Sequence, residues 1–245
     1  MKKRWAAFFH LHMLTLALLP CFGYAQNKPG QVRMIVAPVF NRQPLQLATQ
    51  FYVNGHGDTL FIDRFRFYIT DLGFINIHTG KHFLCNDCAH LVDAEDTATT
   101  TFSTNVPDGS YDAVTFVVGV DSIANTNGAN GGDLDPVNGM YWAWNSGYIM
   151  AKMEGRSEVC NTLHHAFEFH IGGYTTPYNA ARVVTLQLPH AIQVADNSNT
   201  VIKINADAAA WFKGFGLAEK NSVLIPGKEA NIIADNYAKM FSVTE

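Results

Sequence analysis

The chain has 245 residues, of which 48% are hydrophobic, 12% aromatic and only 16% charged. Disordered chains show the opposite profile, so this one folds. Its 19 glycines and 9 prolines follow no fixed period, which excludes collagen, and a formal charge of −4 lacks the basic excess that nucleic-acid binding needs.

The first 25 residues read as a secretory leader rather than as part of the fold. Lys2, Lys3 and Arg4 form a basic start, Trp5 through Leu19 an apolar run, and Gly23-Tyr24-Ala25 a small-x-small cleavage pattern before Gln26. Cleavage after Ala25 takes three of the 17 basic residues and none of the 21 acidic ones, leaving a mature chain of −7. The expectation is a periplasmic or extracellular protein, with residues 26–245 as one domain.

The mature chain reads as strands and turns. Gln31 to Phe40 and Gln50 to Val53 are β-rich, and residues 61–69 alternate large apolar with polar side chains, the period of a half-buried strand. Further strands are expected over 73–78 and 89–93. Pro107-Asp108-Gly109 is a turn that leads into a strand over 111–120. Residues 121–138, rich in Asn, Gly and Asp, form the longest stretch without a period, and such a loop usually covers something or carries function. Its carboxylates do not follow the spacing of an EF-hand. Strands resume at 140–144, 147–153, 166–171, 182–188 and 201–206, and Lys228 to Phe241 changes to helical spacing. About nine strands with short turns and one C-terminal helix predict an all-β chain, a single β-sandwich of immunoglobulin-like or Greek-key type.

Several catalytic patterns are absent. The sequence holds no G-x-S-x-G elbow, no phosphate-binding G-x-x-x-x-G-K loop and no H-E-x-x-H helix. The reading is therefore a protein that is not an enzyme.

What remains are cysteines and histidines. Three cysteines follow the leader: Cys85, Cys88 and Cys160. In an oxidising compartment a disulfide is expected among them, with one thiol left over. Cys85 or Cys88 could pair with Cys160, or the two could pair with each other. The run Cys85-x-x-Cys88-x-His90 could instead hold a soft metal. In the segment 164–170, strand alternation would set His164, Glu168 and His170 on one face, with i and i+2 side chains close enough to share an ion. By the same alternation Trp142 and Trp144 share a face, usually a buried one.

Those residues resemble a known family. Gly119-Val120-Asp121, Gly132-Asp133-Leu134-Asp135-Pro136, the run from Gly139 to Tyr148 and Phe169-His170-Ile171-Gly172-Gly173 are similar to the MbnP family of periplasmic β-sandwich proteins, in its Bacteroidota-type branch. The resemblance implies copper bound by two histidines and a kynurenine made from tryptophan, with a dihaem partner of the MbnH, cytochrome c peroxidase-like type performing the oxidation. It points to His170 as one ligand and His90 as the other. Cys88 stands where the methanotroph members carry the oxidised tryptophan, two residues before the histidine.

Three readings follow. One is an exported copper-handling protein using His90 and His170, with Cys88 or Cys85 in place of the kynurenine and His164 as an additional candidate. Another is a metal-free sandwich for recognition or envelope structure. The last is a substrate protein whose Trp142 or Trp144 a dihaem peroxidase oxidises.

Overall fold

The computed structural model describes residues 28–244 apart from 86–87 and 145–146. The expected leader, residues 1–25, lies outside these described residues. The described residues form two main sheets packed face to face, with a small two-stranded hairpin beside them and a C-terminal helix that adds Ala230, Ile233, Ala234 and Tyr237 to the core. The all-β sandwich with a C-terminal helix is thus what the chain adopts.

The smaller sheet is built on β1 (Gly30–Phe40). The larger sheet is built on β2 (Thr59–Ile75), a spine of 17 residues. Along the chain follow β3 (His82–Leu84), β4 (Ala89–Asp93), β5 (Thr101–Val106) and β6 (Gly109–Val118). After α1 (Ser122–Thr126) come β7 (Gly147–Arg156), β8 (Ala166–Gly172), β9 (Arg182–Val194) and β10 (Asn199–Asp207). The chain finishes with α2 (Lys228–Tyr237) and β11 (Phe241–Val243). In the smaller sheet β1 lies parallel to β10 and antiparallel to β5, and β11 extends the β10 side.

The spine explains the larger sheet. Phe67 faces Val92 of β4 on one flank and Ala151 of β7 on the other, while Ile69 faces His90 and Val118 of β6. One flank of β2 is therefore shared end to end by β7 and β6, the other by β4 and β3. The expected strand over 73–78 is the end of this spine. The period slips at Asp71, whose φ of 51° offsets the pairing between Thr70 and Gly73.

The alternation in β2 makes the two faces different. Phe65, Phe67 and Ile69 point between the sheets, where Trp211, Phe241 and Tyr237 of the C-terminal part meet them. Burying so many large apolar side chains supplies the main drive to fold, at about 25 cal/mol per Å². Arg64, Arg66 and Tyr68 point the other way. Tyr68 is nevertheless fully buried, because Val120, Met140, Trp142, Tyr148 and Ile149 pack with it on that face. The long stretch without a period is thus a cap on the outer face.

Candidate functional site: the capped face and the edge strand

The cap is held by polar contacts that start from the sheet. Tyr68 Oη donates to the Asp133 carbonyl at 3.1 Å, and Tyr148 Oη donates to the Leu134 carbonyl at 2.9 Å. Arg66 Nη1 reaches the Asn138 carbonyl at 3.0 Å and Lys152 Nζ the Gly139 carbonyl at 2.6 Å. The backbone N–H of Leu91, on the edge strand β4, donates to Asp133 Oδ2 at 2.9 Å.

His170 lies on this outer face. It alternates with buried Phe169 and Ile171, and its register neighbours across the sheet are Lys152, then Arg66, then Asp93. Its Nε2 stands 2.7 Å from Glu154 Oε1. The other oxygen of Glu154 accepts from Arg64 Nη1 at 2.7 Å, and Arg64 Nε donates to Glu95 Oε2 at 3.0 Å. Arg66 adds Nε to Asp93 Oδ2 at 2.9 Å and Nη2 to Glu95 Oε2 at 2.6 Å. The hydrogen bond from His170 holds the Glu154 carboxyl at about 2, against the opposing effect of burial and with help from Lys152 and Arg64. Burial in turn pushes the Lys152 ammonium down from its ordinary value. This is a charge ladder across four strands with His170 at one end.

His90 faces the other way. It alternates with Leu91 of the outer cluster and shares a side with Val92 of the core. Its ring stacks on Phe102 of β5 at 4.0 Å, nearly parallel. Nδ1 lies 3.9 Å from Asp133 Oδ2, while Nε2 is buried without a hydrogen-bond partner. Burial lowers the imidazole's pKa, and Asp133 opposes that shift in part.

The structure does not bring the two histidines together. From His170 to Asp93 there are three strand spacings, roughly 14 Å, and His90 is three residues further along, roughly 10 Å more in the strand direction. The two side chains also leave opposite faces of the sheet. No single ion spans that distance.

The other candidates fall out as follows. Cys85 and Cys88 form a disulfide with each other, and Cys160 is a buried free thiol whose Sγ lies 3.8 Å from the Leu217 carbonyl oxygen. The sulfurs beside His90 are therefore not thiolates, which corrects the expectation of thiolate ligands for this form. His164 is not on the strand face of His170 either. It sits in a turn with φ 59°, and β8 begins only at Ala166. The expected strand over 140–144 stops at Trp142, with Ala143 and Trp144 in a turn. Trp142 is 6% exposed and lies against Gly172, whereas Trp144 is 64% exposed and meets Trp142 at a tilt of 46°, with 5.7 Å between ring centroids. Burial of both was the wrong expectation for Trp144.

Sequence reading missed Glu154, Lys152, Arg64 and Arg66. A signal was there: Arg64 and Arg66 alternate with Phe65 and Phe67, so both had to share a face. Asp133 gave no such signal.

The sequence model of the MbnP family matches residues 29–226. The chain belongs to the MbnP family. No curated protein matches it in sequence. Among solved structures it is similar to MbnP from Methylosinus trichosporium, at 15% identity and a TM-score of 0.53, covering 83% of this chain and 82% of that one. At that identity the likeness establishes the shared fold.

Membership makes copper the ion to test against the donors present. They do not fit a two-histidine centre. His170 is engaged by Glu154 and flanked by the cations Lys152 and Arg64, His90 is on the opposite face, and the nearby sulfurs are joined. Among the described residues no group of three His, Cys, Asp or Glu side chains is placed to hold a metal ion.

Proposed function

We propose that this MbnP-family chain is exported to the periplasm or cell surface and works there by binding rather than by catalysis. In its oxidised form it is a metal-free recognition module whose working surface is the capped outer face of the large sheet. The observation that carries this reading is the placement of His90 and His170 on opposite sides of that sheet, with Cys85 joined to Cys88. Export is supported by the basic and apolar start of the sequence and by the disulfide, which suits an oxidising compartment. The cap presents Ile123, Val137 and Trp144 to solvent around a buried aromatic cluster. Exposed apolar side chains on a firmly pinned loop suit contact with another molecule. Metal analysis of the protein purified from periplasm without reductant tests the proposal. The expected result is no retained copper; stoichiometric copper would overturn it.

A second reading is favoured by one observation, the contact of exposed Trp144 with buried Trp142 at a tilted ring angle of 46°. A dihaem peroxidase partner of the MbnH type would reach Trp144 first, and a kynurenine would then form there or at Trp142. Mass spectrometry of the peptide spanning residues 140–152, from cells with and without such a partner, decides it. An unmodified peptide in both would remove this reading.

A further inference from the structure

The border where β9 and β10 face each other is left open. β9 is the terminal strand of the larger sheet, and β10 carries only the short β11 on the side away from β1. Thr244 N–H donates to the Lys203 carbonyl and Asp207 N–H to the Met240 carbonyl, so the odd-numbered residues of β10 turn their backbone groups towards β11. The ladder with β11 reaches back only to the pair Ile204 and Val243. Val201 N–H and C=O therefore point along an edge that no strand covers among the described residues.

β9 does not close that gap. Its pairing with β6 jumps from Gln187 and Ala113 to Ile192 and Tyr111, so Leu188 to Ala191 form a bulge opposite Asp112 alone. Pro189 within the bulge has no N–H, which denies strand pairing to β9 itself. Between the bulge and β10 lies a cleft of about 400 Å³. Its lining reaches the core through buried Leu188 and Ile202 and half-buried Ile192. Val201, 40% exposed, lines it too, with His190 and Lys203. Lys203, His190 and Arg33, the register partner of Val201 on β1, are all exposed, and none makes an ion pair among the described residues. A chain of formal charge −4 thus gathers three unanswered basic groups at one border.

We propose that this border is a docking groove for an extended acidic segment of a partner protein, which adds to the free edge of β10 at Val201, antiparallel and in line with β11. The segment's backbone takes the N–H and C=O of Val201. Every second side chain turns inward onto Leu188, Ile192 and Ile202, and the alternate carboxylates meet Lys203, His190 and Arg33. Main-chain pairing supplies the affinity in such strand addition, and the charges select the partner. The groove shares no residue with the cap, so this goes beyond the function proposed above.

The test is an NMR titration of the full isotope-labelled chain with the peptide Glu-Val-Glu-Val-Glu-Val at pH 7. Saturable shifts are expected at Val201, Lys203 and Ile192 and not at Trp142 or Trp144, with a Kd of about 1 mM or tighter. N-methylation of the glutamates, whose N–H groups face β10 in this register, should weaken binding at least tenfold. The Lys-Val-Lys-Val-Lys-Val peptide should bind at least tenfold more weakly too. Lys203→Glu, at an exposed position, should do the same with an unchanged β spectrum, and Val201→Pro removes only an N–H that is unpaired in the free chain. No saturable binding up to about 1 mM, or equal binding of the lysine peptide, overturns the proposal. Shifts confined to the cap also overturn it and leave the recognition face standing. A dimer in sedimentation of the chain alone, dispersed by Lys203→Glu, would assign the edge to a second copy and overturn the partner.

Discussion

Replacing Glu154 with Gln keeps the side chain's shape and removes the charge on which His170, Arg64 and Lys152 converge. The carboxyl is held at about 2 against an ordinary 4.5, chiefly by the His170 hydrogen bond. At about 1.4 kcal/mol per tenfold, that preference for the charged form is worth about 3 kcal/mol at most, and roughly 2 kcal/mol after allowance for solvent screening. For a chain of this size such a loss lowers Tm by roughly 4–8 °C. The sign with pH follows from the direction of the shift. A depressed carboxylate contributes stability above 4.5 and loses it as pH falls towards 2, and glutamine does not titrate at all. Urea unfolding of the parent chain and Glu154→Gln, at pH 7 and at steps below pH 4.5, should therefore show a gap that narrows as acid is added. No gap at pH 7, or one that stays constant down to the lowest pH, would refute the role given to this carboxylate.

Other perturbations have equally definite outcomes. Gly172→Ala places a Cβ 2.6 Å from the Trp142 ring and 2.7 Å from the Tyr148 carbonyl, so it should cost about 1–3 kcal/mol and shift the tryptophan fluorescence, read by thermal melts and emission spectra. Phe169→Ala empties a fully buried position among Phe167, Phe212 and Phe215 and should lose about 3–5 kcal/mol in chemical denaturation. Tyr148→Phe leaves the Leu134 carbonyl and the Asn130 N–H without their partner. It should cost about 1–3 kcal/mol and raise amide exchange across the cap more than in the sheets. Cys85→Ser/Cys88→Ser should fold with an unchanged β spectrum and lose about 2 kcal/mol.

Much of the sandwich could be read from alternation, because a strand with one face in the core must repeat every second residue. Residues 61–69 show that period and are the middle of the spine; 89–93 and 166–171 match β4 and β8 to within a residue. Where the period fails, reading failed with it. At Asp71 a left-handed residue shifts the phase inside one strand, so its far end reads as a separate element. β5, with the sequence Thr-Phe-Ser-Thr-Asn-Val, buries Thr104 and Val106 but is too polar to stand out. The helix stops at Tyr237 rather than Phe241, because Phe241 is drawn into β11 against Ala206.

The site was less legible. The histidines and cysteines were found and the charged partners Glu154, Lys152, Arg64 and Arg66 were not, because their grouping depends on registers between strands distant in sequence. His170, Glu154 and Arg64 meet only because β8, β7 and β2 align as they do. The opposite facing of His90 depends on one residue of phase in an edge strand, and the turn at His164 rests on a positive φ that residues other than glycine adopt only in a few per cent of cases.

The account's central claim is that His90 and His170 act independently. A double-mutant cycle measures this directly, comparing the copper affinity of the oxidised chain with those of His90→Ala, His170→Ala and the double variant. The account predicts only weak binding, with effects that add. A stoichiometric centre lost equally in each single variant, with a coupling of about 1.4 kcal/mol or more, would contradict it.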